Sequence, residues 1–142
     1  MAEAVRDQQT VTDSGVSTVP LIEGVSFSQK DCLVLIEEMG VTVDSVRLSG
    51  GGARSDFWRQ MLADIFERRV ATLATQEGSA YGVALLAMVG TGAFHSVPEA
   101  CKAAVKETAS VNPRLQQAAA YRRSYEVFKV LYPTVKPLFG LM

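Results

Sequence analysis

Three adjacent glycines, Gly50, Gly51 and Gly52, separate two short patterned segments, and this junction constrains the fold more than any other stretch. Before it, residues 45–49 alternate Val46 and Leu48 with polar neighbours, the period of a strand. After it, Trp58, Met61, Leu62, Ile65 and Phe66 recur at i, i+3, i+4, i+7 and i+8, one apolar face of a helix. That helix is expected to start at Arg54 or Ser55 and end at Phe66 or Glu67. Glycines at such a junction let the backbone turn sharply and let a ligand approach without Cβ atoms in the way. The start of the helix presents free N–H groups and the positive end of its dipole. Strand, glycine turn and helix start are the parts of a phosphate-facing loop. A tight strand-to-helix turn with no ligand accounts for the three glycines equally well.

The rest of the chain reads as helices around a second strand. A first helix is expected over residues 21–39, with Val25, Cys32, Leu35, Ile36 and Met39 as its apolar stripe and Gly40 as its stop. Residues 69–73 read as the second strand. Thr75 is a candidate N-cap for a helix over residues 76–89, with Glu77 in its first turn. Gly78, Ala80, Gly82, Ala84 and Ala87 in that helix point to close packing, since each glycine costs roughly 1 kcal/mol of helix propensity. Ser96 and Glu99 form a capping box for a helix reaching about Thr108. Asn112-Pro113 reads as the start of a last helix, N-cap followed by first-turn proline. Pro133 and Pro137 are expected to end it near Leu131.

The sum is an α/β chain in the order α-β-α-β-α-α-α. Two isolated strands make a poor sheet, so the chain reads as the end of a domain whose other strands lie elsewhere. Residues 1–20 are polar, without period, and read as a flexible leader.

Charge and composition exclude several classes. Fourteen Lys and Arg face fifteen Asp and Glu, which argues against a nucleic-acid or anionic-membrane surface. The most apolar run, residues 81–89, is too short to cross a bilayer. No signal peptide is visible, and a cytoplasmic protein is expected. One histidine and two separated cysteines make a metal site improbable. Cys32 and Cys101 read as small buried hydrophobes.

Residues 48–55, Leu-Ser-Gly-Gly-Gly-Ala-Arg-Ser, followed by Trp58-Arg59-Gln60-Met61-Leu62-Ala63-Asp64, resemble the C-terminal domain of the FGGY family of carbohydrate kinases. Glu23-Gly24-Val25-Ser26-Phe27 with Asp31-Cys32-Leu33, Glu77-Gly78-Ser79-Ala80-Tyr81-Gly82-Val83-Ala84, and the tail with Leu131-Tyr132-Pro133 and Lys136-Pro137 agree in order and spacing. Within the family the pattern is most similar to the xylulokinase branch. The resemblance covers roughly residues 21–140 and implies a truncated nucleotide-side domain over residues 21–142. That domain would be a partial ribonuclease-H-like, actin-like ATPase fold with its leading strands missing. In that family two such domains close over a sugar and ATP with magnesium, and ATP phosphorylates a sugar hydroxyl, here a ketopentose such as D-xylulose. Another branch, such as glycerol kinase, is the alternative.

The resemblance places Gly50, Gly51, Gly52, Ala53, Arg54 and Asp56 beside the nucleotide. It supplies no catalytic residue and no metal ligand, because the Asp-x-Gly-Thr phosphate loop and the general-base aspartate belong to an N-terminal domain not present here. The chain alone is therefore expected to lack turnover and to bind nucleotide weakly at best. The residues themselves leave blander roles open: Asp56 and Asp64 as solvated or capping carboxylates, Arg54 as an exposed helix-start residue, Trp58 as core, His95 as a loop residue. Asp31, mid-helix, has no chemistry assigned. Missing strands should leave apolar surface on the first helix and an open edge on the first strand. The expected partner is accordingly either a second copy of the chain or a missing N-terminal kinase domain.

Overall fold

The computed structural model describes residues 18–75 and 78–141. The elements run α1 (Val19–Glu38), β1 (Ser45–Leu48), a 3₁₀ turn (Gly51–Arg54), α2 (Asp56–Phe66), β2 (Arg69–Leu73), α3 (Gly78–Gly90), α4 (Val97–Ala104), β3 (Glu107–Val111), α5 (Leu115–Val135) and a closing 3₁₀ segment (Lys136–Leu141). They form two compact units.

The first unit holds Val43–Ala63 and Glu67–Pro113. Its sheet has the order β1-β2-β3. β1 and β2 pair in parallel, Ser45 opposite Arg69 and Leu48 opposite Thr72, with α2 as the crossover. Both strands fall where they were expected, the first a residue shorter at its end. β3 pairs antiparallel to β2, with an irregularity at Thr72 and Leu73. This strand corrects the expected order: the chain leaves α4 at Ala104 and returns as a strand where a helix to Thr108 was expected. Glu107, Thr108, Ala109 and Ser110 are all exposed, so burial leaves no apolar period to read. Polar pairs hold β3 instead. Glu107 takes Arg47 at 3.0 Å and Arg69 at 2.6 Å, and the two guanidiniums hold its carboxyl below the usual carboxylate range. The Thr72 and Thr108 hydroxyls meet at 3.1 Å.

The capping box is present. Ser96 Oγ accepts from the Glu99 N–H at 3.3 Å, and the Glu99 carboxylate accepts from the His95 N–H at 2.9 Å. The expected helix start at Gln76 and Glu77 lies outside the described residues, and α3 is described from Gly78. Only part of its small-residue logic holds. A Cβ on Gly78 would lie 2.8 Å from Ser49 Oγ, whereas one on Gly82 would meet nothing within 4 Å. Cys101 is half-buried and free.

The second unit comprises α1, the last turn of α2 (Asp64–Phe66) and the chain from residue 114 onward. α1 begins at Val19, inside the segment assigned to a leader; residues 1–17 lie outside the described ones. The helix ends as expected. Gly40, at φ +87°, donates to Glu37 O at 2.9 Å, and Val41 donates to Ile36 O at 3.4 Å, the paired bonds of a Schellman stop. The core of this unit is aromatic. Phe27, 5% exposed, meets the rings of Tyr121, Tyr125 and Phe128 with centroids 6.2, 5.8 and 5.4 Å away. Tyr125 also donates to Asp31 at 2.5 Å.

Two expectations about α5 are corrected. Asn112 is not its N-cap: the cap position is Arg114, whose side chain makes no capping bond. The organiser is Asp64, which is 0% exposed. Its carboxylate accepts from the Arg114 N–H at 2.7 Å and from the guanidinium at 3.0 and 2.6 Å. Asp64 is thus neither solvated nor a cap of its own helix. At the other end α5 continues through Pro133 to Val135. Proline removes one helical N–H, and the turn is held nearby by Thr134 Oγ1, which donates to Val130 O at 2.7 Å.

Tyr121 makes this unit sensitive to alkali. Burial, then the nearby Glu23 and Asp64 charges, push its hydroxyl up to about 12. The unfolded chain ionises this group near 10, so the stabilisation is complete below pH 10 and is lost as pH rises toward 12. Burial and Asp31 raise Tyr125 in the same direction. Thermal midpoints are expected to be level between about pH 8 and 9 and to fall beyond 10. Tyr121→Phe is expected to shallow that fall; an unchanged slope would show that Tyr121 is not its source.

Candidate functional site

Gly50 follows β1 at φ +86°, ψ −176°, a region that side chains with a Cβ essentially do not occupy. The turn after it closes through Ala53 N–H to Gly50 O and Ser55 N–H to Gly52 O, both 3.2 Å. Ser55 then caps α2, its Oγ accepting from the Trp58 N–H at 3.2 Å. The three glycines have different reasons. Gly50 has a conformational one. Gly52 has a steric one, because a Cβ there would overlap the Trp58 ring. Gly51 is exposed and meets nothing. Trp58 is accordingly half-buried against the turn rather than fully in the core.

A pocket of about 150 Å³ opens at the C-terminal end of β1, bounded by Leu48, Ser49 and Gly50, by Ala53, Arg54 and Arg59, and by Thr72, Thr75 and Thr108. The ends of parallel strands, just before a helix start, are where open α/β sheets bind ligands. Of the six residues expected at the site, Gly50, Ala53 and Arg54 line this pocket; Gly51, Gly52 and Asp56 do not. Asp56 is ion-paired with Arg59 on the exposed start of α2.

Sequence reasoning missed Arg59. Its Nη1 donates to Ala53 O at 3.0 Å and its Nη2 to Asp56, so it ties the turn to the helix. Its Nε is buried and has no hydrogen-bond partner among the described residues. The i, i+3 spacing from Asp56 was the available signal. Guanidinium donors and hydroxyls around a small cavity suit an anionic oxygen, and an orphaned Nε is a donor that such an oxygen would satisfy. Sites for whole cofactors run to roughly 300–1,000 Å³, and this pocket is smaller than that. No group of three or more His, Cys, Asp or Glu side chains among the described residues could hold a metal ion.

The family model for the C-terminal domain of FGGY carbohydrate kinases matches residues 1–91. The chain belongs to the FGGY family of carbohydrate kinases. The FGGY match takes in residues 1–20, which sequence inspection had set apart. Xylulose kinase from Bacillus subtilis (strain 168) is 37% identical over 118 residues, 83% of this chain and 24% of the relative. The crystal structure of xylulose kinase from Rhodospirillum rubrum superposes with a TM-score of 0.72 at 31% identity, covering 84% of this chain and 24% of that one. The ligand-bound xylulose kinase from Lactobacillus acidophilus gives 0.76 at 22% identity, a likeness of fold. The helix-rich chain with its small mixed sheet is thus a partial actin-like, ribonuclease-H-like fold of the FGGY type. It spans about a quarter of the length of the FGGY relatives it matches.

Gly50→Ala is expected to cost about 1–3 kcal/mol by forcing a Cβ into that backbone region, and Gly51→Ala close to nothing. Urea midpoints of the two variants separate these cases; equal midpoints would remove the conformational argument for Gly50.

Proposed function

We propose that this chain is the C-terminal, nucleotide-side part of an ATP-dependent sugar kinase acting in the cytoplasm on a ketopentose such as D-xylulose, with residues 21–142 as that domain. The observation that carries the reading is the pocket after β1, where a glycine turn and the unsatisfied Arg59 Nε converge. ATP with magnesium would supply the transferred phosphoryl group. The chain's own part is positioning and charge. Backbone from Gly50 to Ala53 would border the nucleotide, which the absence of Cβ atoms at Gly50 and Gly51 permits. Arg54 and Arg59 would offer guanidinium donors to its anionic oxygens, and Ser49, Thr72 and Thr75 would offer hydroxyls. Asp56 would act indirectly, by holding Arg59. None of these residues is a base for the sugar hydroxyl, so turnover requires a carboxylate from outside this segment.

The test is phosphorylation of D-xylulose by two proteins: the chain alone, and the Bacillus subtilis relative with its matched segment replaced by this chain. No product is expected from the first and turnover from the second. Turnover by the chain alone would place the base within it. A folded but inactive fusion would contradict the assignment.

A further inference from the structure

The sheet carries a bulge beside the pocket. In the β2–β3 ladder Thr72 lies opposite Ala109 and Leu73 opposite Glu107, so Thr108 between them has no partner of its own. An extra residue of this kind re-aims a side chain at the edge of a sheet. The ladder resumes beyond it, where the Ala74 N–H donates to Lys106 O at 2.9 Å. Here the Thr108 hydroxyl lies 3.1 Å from that of Thr72, and both residues line the pocket after β1. The other bonds of the pair, Thr108 Oγ1 to Thr72 O and Thr72 Oγ1 to Ala109 O, are each 3.4 Å. Hydroxyl bonds ordinarily lie below about 3.0 Å, so neither hydroxyl is firmly engaged. Each has one proton. When Thr108 donates to Thr72, the Thr72 proton is left with a carbonyl 3.4 Å away, and an anionic oxygen is a stronger acceptor than that.

Glu107, the residue before the bulge, ties the edge strand to both of the others. Its carboxylate takes Arg47 of β1 at 3.0 Å and Arg69 of β2 at 2.6 Å. Arg69, Ala71 and Leu73 alternate onto one face of the sheet, with Arg47 opposite Ala71 and Glu107 opposite Leu73; Thr72 lies on the other face. The ion triad therefore holds β3 from the side away from the hydroxyl pair, and none of its three members lines the pocket. We propose that Thr108 is a nucleotide-binding residue and that Glu107 is the positioning residue that sets it, so that the Thr108–Thr72 pair directs a donor at an oxygen of the nucleotide. The proposal rests on the kinase reading above.

The test is an ADP titration of the chain, followed by Trp58 emission, for the parent, Thr108→Val, Glu107→Gln and the two combined. Each single variant is expected to bind ADP roughly 5-fold more weakly, the effect of one net hydrogen bond. The combined variant is expected to bind no more weakly than Thr108→Val alone, because Glu107 acts through Thr108. Thr108→Ser, which keeps the hydroxyl, is expected to bind like the parent. In the fusion with the Bacillus subtilis relative, the single variants are expected to raise KM for ATP about 5-fold and to leave kcat within about twofold. Arg47→Gln breaks the same tie from β1 and takes the place of Glu107→Gln if that variant does not fold. Parental ADP affinity in Thr108→Val would overturn the proposal. So would additive losses, or a lowered urea midpoint in Glu107→Gln with an unchanged ADP curve, which would make the triad structural only. ADP binding or turnover that the variants leave unchanged refutes the positioning role and leaves the kinase reading standing. No ADP response from the parent and no turnover by a folded fusion refutes both.

Discussion

Replacing Asp64 with alanine is expected to lower the unfolding free energy by about 3 kcal/mol, the low end of the cost of breaking a buried ion pair. The carboxylate is fully buried and serves three donors on Arg114. Its loss strands the Arg114 N–H, but the guanidinium, whose side chain is 57% exposed, returns to water, so the upper end of the range is not reached. Asp64→Asn keeps an acceptor for the N–H and is expected to cost about 1–2 kcal/mol. Urea unfolding measures both. A loss below about 1 kcal/mol for Asp64→Ala would show that the start of α5 does not depend on this carboxylate.

Phe27→Ala is expected to cost about 3–5 kcal/mol, the range for deleting a buried aromatic ring. The ring is the point at which α1 meets Tyr121, Tyr125 and Phe128 of α5, and those three cannot all collapse into the space it leaves. Phe27→Leu, which keeps most of the volume, is expected to cost under about 1.5 kcal/mol. Near-equal midpoints for the two variants would mean that the aromatic cluster is loosely packed.

How far the chain was legible follows from where its apolar residues sit. α2 is readable because its i, i+3, i+4 pattern coincides with burial at Met61, Leu62 and Ile65, and β1 because Val46 and Leu48 alternate with polar residues; β2 is a short run buried at Val70, Ala71 and Thr72. Ser96 and Gly40 are readable because caps and stops are local chemistry, whereas Ser55, read as a possible first helical residue, is the N-cap. β3 is not, because it is held by Glu107 and Thr108 bonding across the sheet, which leaves no period. The start of α5 misled because Asn112-Pro113 looks like a helix start, while the structural partner, Asp64, is fifty residues away. The apolar surface expected on the first helix is present among the described residues, at Leu35 and Met39, and the correction there is Cys32, read as a buried hydrophobe but exposed. Of the six residues the resemblance placed beside the nucleotide, Gly50, Ala53 and Arg54 border the pocket. Arg59 was hidden on a helix that read as core, and the threonines come from β2, β3 and the chain just after β2.

The proposed nucleotide-side role turns on the Gly50 turn facing a nucleotide. Its most direct test is a titration of the chain with ADP followed by the emission of Trp58, the single tryptophan, whose ring lies against Gly52. A saturable change is expected, with a dissociation constant of millimolar order for half a site. It should be lost in Gly50→Val and weakened in Arg59→Ala. Gly50→Val is preferred to a change at Gly52, which would displace the reporter itself. No saturable change, or the same binding curve in both variants, would contradict the claim.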